Sequence, residues 1–285
     1  MKLKVKDQTL DLDSRCLLMG ILNVTPDSFS ENGANYTFDA AKEAVDAMVN
    51  AGADIIDVGG ESTRPGAEVV SLKEELQRTI PLIEYIAAKH DVFISIDTTK
   101  SEIAAAALAT GAAIINDISG LNLDPAMRNV AAEWEATVIS MHMRGTPQTM
   151  QQFTDYDNLI TDINKYFAEN LQELEKSGIK RERIALDPGI GFSKTAEQNL
   201  EIIKCLDAFS VHQCPILIGP SRKSFIGKVL DKENPQERLW GTAAAISAGI
   251  QNGARIIRVH DVAEMKDTME LTMAILNAGA KYAQV

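Results

Sequence analysis

The chain has 285 residues, 45% hydrophobic and 24% charged, with a net charge of −12. That balance is globular and excludes a disordered or fibrous architecture, while the acidity argues against a nucleic-acid partner. A local convergence of cations could still hold a small anionic substrate. No apolar run approaches the ~20 residues needed to span a bilayer. The start, Met1-Lys2-Leu3-Lys4-Val5-Lys6, lacks a signal peptide's apolar stretch, and Cys16, Cys205 and Cys214 show no C-x-x-C spacing. A reduced, cytoplasmic setting is expected, with neither a disulfide framework nor a zinc site.

Residues 2–13 alternate polar and apolar around Lys6-Asp7-Gln8, which predicts a short hairpin closing the bottom of the domain. From Leu17 onward, short apolar runs alternate with helical stretches. Residues 16–24 precede a helix near 37–51, 54–58 one near 71–89, 93–97 one near 100–110, and 113–118 one near 125–133. Residues 137–141 lead through a long loop to a helix at 157–177, and 183–187 lead to one at 196–209. Residues 215–219 lead to a short helix after Ser221 and a longer one at 236–252, and 255–259 lead to a final helix through 278. Eight strand–helix units close a parallel barrel, so the expected class is α/β, a (β/α)8 TIM barrel, whose usual length is about 250 residues. One domain is expected over 1–285, with the hairpin at 1–13 and the barrel at 14–285.

Local signals support this parsing. Ser71 with Glu74, and Thr99 with Glu102, have the spacing of capping boxes. Glycines 52, 111, 178 and 253, each just before a strand, fit helix C-caps. Pro81 should kink the second helix or delay its start. The small residues of 241–249 require close packing, against the core first and a subunit interface second.

The strand ends read Asn23, Asp57, Asp97, Asn116-Asp117, His142, Asp187, Gly219 and Arg258-Val259-His260. In a parallel barrel these ends share one rim, where the following loops build the active site. A single strand-terminal Asp is usually a cap, but recurrence at nearly every strand points to one polar pocket. Gly219-Pro220-Ser221-Arg222-Lys223-Ser224 carries two cations and two hydroxyls next to a helix start that favours anions. Alternation places Arg258 and His260 on the same face. Loops seven and eight are the usual phosphate region of such barrels, so a diphosphate or carboxylate ligand is expected.

Asp187-Pro188-Gly189-Ile190-Gly191-Phe192 supplies a carboxylate, two glycines and an aromatic ring, without the further glycine of a dinucleotide fingerprint. Residues 59–67 form a second flexible loop bearing Arg64. His90 and His212 read as surface residues, and no Ser-His-Asp arrangement or helical His pair is present.

Taken together, the segments ILNVTPDSFS, DVGGESTRPGA, SIDTTK, INDISG, LDPGIGF, GPSRKSFIG and RVHDV resemble dihydropteroate synthase, the folate-pathway family that sulfonamides inhibit. The likeness runs in order from about Leu17 to the final helix. It implies a transferase that condenses 4-aminobenzoate with 6-hydroxymethyl-7,8-dihydropterin diphosphate to give 7,8-dihydropteroate and diphosphate, and it implies a homodimer. It assigns Asn23 to a Mg2+ ion on the leaving diphosphate. Asn116, Asp187 and Lys223 would read the pterin edge, with Asp97 beside its ring. Arg258, His260, Thr63 and Arg64 would contact or cover the diphosphate. Phe29, Pro65, Phe192 and Ser224 would form the aminobenzoate slot. Asp97, Lys223, Arg258 and His260 are thus the expected catalytic groups.

Three details depart from the family's pattern: Pro220 before the Ser-Arg-Lys segment, Ser193 where glycine or alanine is usual, and the loop 30–36. Ser193 is expected to narrow the aminobenzoate slot. The nearest rival is a pterin-binding methyltransferase barrel, which has no diphosphate for Lys223, Arg258 and His260 to stabilise. A catalytically silent pterin-binding scaffold is a further alternative, disfavoured by the complete polar rim.

Overall fold

The computed structural model describes residues 1–24, 38–63 and 69–279. Two short strands, β1 (Lys2–Val5) and β2 (Gln8–Asp11), pair antiparallel as a separate hairpin. Eight further strands close a parallel barrel: β3 (Leu17–Asn23), β4 (Ile55–Gly59), β5 (Phe93–Asp97), β6 (Ile114–Asp117), β7 (Thr137–Met141), β8 (Ile184–Asp187), β9 (Ile216–Ile218) and β10 (Ala254–Val259), with β10 pairing back onto β3. The expected (β/α)8 TIM barrel and its N-terminal hairpin are therefore both found.

Helices fill the connections: α1 (Phe38–Asn50), α2 (Leu72–Lys89), α3 (Ser101–Thr110), α4 (Met127–Glu133), α5 (Leu159–Lys176), α6 (Ala196–Lys204), α7 (Ser224–Leu230), α8 (Leu239–Gln251) and α9 (Val262–Asn277). The helix expected at 196–209 stops at Lys204, and the chain continues as a 3-10 turn, Leu206–His212. The one expected at 236–252 likewise begins as a 3-10 turn, Pro235–Arg238. Among the described residues, no helix is long and apolar enough to cross a membrane.

Strand alternation sorts the core into two layers. Leu18, Leu22, Ile56, Val58, Ile94, Ile96 and Ile115 face outward against the helices. Leu17, Met19, Ile55, Ile114, Ile139, Ala185, Leu217 and Ile256 fill the barrel interior, where Leu3, Val5 and Leu12 of the hairpin region join them from below. The hairpin is thus a plug, with each fully buried aliphatic side chain contributing roughly 1.5–3 kcal/mol. The Thr137 hydroxyl ties it down by donating to the Lys4 carbonyl at 2.6 Å. With the bottom apolar and closed, the open rim is where polar interior residues can collect.

Most local signals behave as their chemistry requires. Ser71 caps α2 by accepting from the Glu74 N–H at 3.3 Å, so the helix starts on time and runs through Pro81. The reading of Thr99 fails: α3 begins after Lys100, whose side chain has no oxygen to accept a backbone N–H, and Asp124 rather than Thr99 accepts from the Ser101 N–H at 2.7 Å. A full capping box forms instead at Thr195 and Gln198. Glycines 52, 111, 178 and 253 all adopt positive φ, as expected of C-caps.

The small residues of α8 serve contacts within the chain. A Cβ on Gly249 would lie 2.2 Å from Ile218 Cδ1, and one on Gly241 would lie 2.3 Å from Ile226 Cγ2.

Candidate active site

Register decides which strand ends meet. Asn23 pairs alongside Gly59, Gly59 alongside Asp97, and Asp97 alongside Asn116, so four consecutive strands present one row at the rim. A Cβ on Gly59 would stand 3.5 Å from Asp97 Cβ and 3.7 Å from Asn23 Oδ1, which shows how closely this row converges. Asp57 lies two residues below Gly59 on the same face and is fully buried.

Arg258 reaches across from β10 to lock this side. Its Nε donates to Asp57 Oδ2 at 2.6 Å and its NH2 to Asp97 Oδ2 at 2.6 Å, while Asn116 Nδ2 donates to Asp57 Oδ2 at 3.0 Å. Burial raises the Asp97 carboxyl well above the ordinary carboxylate range, Arg258 opposes that rise, and Asp57 adds to it. Burial works against the Arg258 charge too, but Asp57 and Asp97 outweigh it and raise that group.

Asp57 appeared among the strand ends without a role, yet it holds both Arg258 and Asn116. Its second oxygen, Oδ1, is buried with no hydrogen-bond partner among the described residues. The signal available in sequence was parity: Asp57 shares the inward face with Ile55 and Gly59. The neighbouring Asp117 has the opposite parity. Its carboxylate accepts from the Ser119 N–H and the Ser119 hydroxyl, both at 2.7 Å, so it is a local cap outside the pocket.

The other side of the rim is built on loops. Asp187 ends β8 and is 8% exposed, and its Oδ1 accepts from the Gly189 N–H at 2.7 Å. Burial raises this carboxyl, with Lys223 the leading opposing influence. Lys223 donates to the Ile190 carbonyl and lies 4.6 Å from the centroid of the Phe192 ring. Burial pushes its ammonium down to about 8 against the pull of Asp187. Gly191 has φ +85°, and a Cβ there would stand 2.8 Å from Lys223 Cδ; glycine is what lets the lysine lie across this loop.

The remaining expected residues are placed unevenly. His260 follows β10, and its Nδ1 lies 3.0 Å from the Ser221 hydroxyl, an orienting contact that the sequence did not reveal. Ser224 is exposed at the start of α7, and Thr63 is half-buried in the loop after β4. Arg222 turns away from the pocket to pair with Asp261, so only one of the two adjacent cations faces Asp187. Phe29, Arg64 and Pro65 lie outside the described residues.

Ser193 does not project into the slot as expected. It is fully buried at φ +49°, and its hydroxyl meets the Arg144 N–H at 3.1 Å and the Tyr156 hydroxyl at 3.3 Å. His90 and His212 are half-buried rather than surface residues, lying 2.7 Å from Asp46 Oδ1 and 2.9 Å from Asn164 Oδ1.

A buried, paired set of carboxylates, an amide, an arginine and a lysine can recognise a flat heterocycle with adjacent donors and stabilise separated charge beside it. Comparison with known proteins agrees. Residues 19–260 match the pterin binding enzyme family. The dihydropteroate synthase of Synechocystis sp. is 50% identical over 269 residues, covering 94% of this chain and 93% of that protein. The Yersinia pestis dihydropteroate synthase solved with a sulfonamide drug complex superposes with a TM-score of 0.92 at 42% identity, covering 98% of this chain and 100% of that one. The Xanthomonas albilineans dihydropteroate synthase solved with 4-aminobenzoic acid superposes with a TM-score of 0.90 at 38% identity, covering 97% of this chain and 98% of that one. The chain belongs to the pterin binding enzyme family, and within it to the dihydropteroate synthases.

Proposed function

We propose that this chain joins 4-aminobenzoate to 6-hydroxymethyl-7,8-dihydropterin diphosphate, giving 7,8-dihydropteroate and diphosphate. The observation that carries the residue roles is the convergence of Asp97, Asn116 and Asp187 with Lys223 and Arg258 at one barrel rim. Asp187 accepts paired hydrogen bonds from the amidine-like edge of the pterin, and Lys223 donates beside it. Asn116, with its amide N–H committed to Asp57, offers its carbonyl oxygen as an acceptor.

The methylene C–O bond breaks as diphosphate leaves with the bonding pair. The amine nitrogen of 4-aminobenzoate then forms the new C–N bond and gives up a proton. Positive charge grows on the pterin methylene, and Asp97, pinned by Arg258, stabilises it without side-chain reorganisation. Arg258 and His260 neutralise the opposite charge on the leaving group, aided by Thr63 and Arg64. Such a substitution needs no enzyme nucleophile. Phe192 stacks along the aminobenzoate ring with Phe29 and Pro65, and Ser224 meets its carboxylate.

Asn23 fits a Mg2+ site. Its Oδ1 is a hard oxygen beside Asp97, with no hydrogen-bond donor to it among the described residues, and Mg2+ commonly takes one or two protein oxygens plus phosphate oxygens. When bound, the ion would neutralise the leaving diphosphate.

The exposed apolar side chains Trp240 on α8 and Leu271 and Ile275 on α9 support a homodimer. Unpaired cysteines support a cytoplasmic setting, and one closed barrel supports a single domain. Purified protein given both substrates and Mg2+ should release diphosphate in step with dihydropteroate. Failure to form the product would overturn the assignment.

A further inference from the structure

Lys194 takes no part in the mechanism above, yet its side chain is buried against the loop that carries Phe192. Its Nζ donates to the Phe192 carbonyl at 2.9 Å and lies 3.1 Å from His142 Nδ1 and 3.5 Å from the His142 carbonyl. Lys194 is 4% exposed and His142 is 2% exposed. A buried ammonium is costly unless its donors are matched, and here three N–H groups face three acceptors. Burial lowers the Lys194 amine to about 7, with Asp187 opposing; where Lys194 donates to Nδ1, His142 carries its hydrogen on Nε2. Burial, then Lys194 and Arg144, hold that imidazole down to about 2, which keeps it neutral. The ring is wedged edge-on against Tyr166, with centroids 4.9 Å apart.

The same turn is tied elsewhere. The Phe192 N–H donates to the Gly189 carbonyl at 3.0 Å, and the Ser193 hydroxyl gives the Phe192 carbonyl a second donor at 2.8 Å. Gly189 has φ +72°, and a Cβ there would stand 2.1 Å from the His142 carbonyl oxygen, so the loop is pressed onto the end of β7. Lys194 therefore links the Phe192 peptide to a barrel strand, while Lys223 lies against the Phe192 ring.

We propose that Lys194, braced by His142, is a positioning residue for the second substrate: it anchors the Phe192 carbonyl and thereby fixes the ring that walls the 4-aminobenzoate slot. The inference rests on the synthase reading and on Phe192 as that wall. Lys194→Met keeps the apolar stem and removes the donors. In steady-state assays of the full chain, KM for 4-aminobenzoate should rise about tenfold while KM for the pterin diphosphate stays within about twofold, the pattern of lost ground-state binding of one substrate.

Phe192→Ala should raise the same constant. The double variant should be no worse than Phe192→Ala alone, because Lys194 acts through that residue. Lys194→Gln retains an N–H for the carbonyl and should recover most of the loss, and it serves as the second variant if the methionine protein folds poorly. A merely structural role would lower kcat with the folded fraction and move neither KM, and that result overturns the proposal. So do equal rises for both substrates, additive effects in the double variant, or a silent Phe192→Ala. A parent protein that makes no dihydropteroate refutes the synthase reading itself.

Discussion

The two sides of the rim solve the same problem differently. On the β3–β6 side, polar groups sit on strands in fixed register, and Arg258 bonds directly to Asp57 and Asp97 at 2.6 Å each. On the β8–β9 side, Asp187 and Lys223 are separated by a glycine-bearing loop held by the Lys223 contact to Ile190 and by Lys194. The first side is a rigid ionic floor, suited to charge that develops during reaction. The second is a set of loop-mounted donors and acceptors, suited to substrate recognition. Rigid preorganisation and adaptable binding are thereby placed on different strands of one barrel.

The sharpest test of this division is on the floor. Arg258→Met leaves two buried carboxylates without their partner and should cost about 3–5 kcal/mol of stability in denaturant titrations as well as most activity. Asp97→Asn should keep the fold and pterin binding but lower kcat by about 10²–10³, the size expected for lost electrostatic stabilisation. Equal losses in kcat and in pterin affinity, the latter read by calorimetry, would make Asp97 a binding residue and blur the distinction.

The recognition side should respond in binding. Lys223→Ala should weaken pterin diphosphate binding by about tenfold or more, the scale of a charge-assisted hydrogen bond. Its ammonium is held down to about 8, so it is charged below that pH and neutral above it. Affinity for the diphosphate substrate should therefore fall as pH rises through about 8, and the alanine variant should lose that limb of the profile. Calorimetry across pH 6.5–9.5 would check both, roughly bracketing the transition.

The smallest expected effect lies outside both sides. Thr195→Ala removes the capping box of α6 and should cost about 1 kcal/mol of stability, with kcat and both KM values unchanged. A change in aminobenzoate KM would mean that the α6 cap also supports the loop carrying Phe192.

Much of the barrel could be read from the chain because its signals are local. Short apolar runs, helix periodicity and pre-strand glycines each depend on a few neighbouring residues. The strands at Phe93–Asp97 and Thr137–Met141 match the expected bounds in full. Local signals misled where a distant group competed. Thr99 has the capping spacing, but Asp124 supplies the acceptor for the Ser101 N–H from 23 residues away. Arg222 and Lys223 are adjacent cations, yet a positive φ at Arg222 and the carboxylate of Asp261 turn them to different partners.

The sequence by itself determined the repeating strand–helix order, the polar strand ends and the family likeness carried by motifs such as LDPGIGF and RVHDV. Alternation along a strand was enough to place Arg258 and His260 on one face. Only the tertiary structure decided that Asp57 bonds both Asn116 and Arg258, that the Ser221 hydroxyl meets His260, and that Lys194 donates to the Phe192 carbonyl. Those contacts depend on the shear of a closed barrel and on loops meeting across it. The partners stand as many as 201 residues apart, where no local pattern records that they touch.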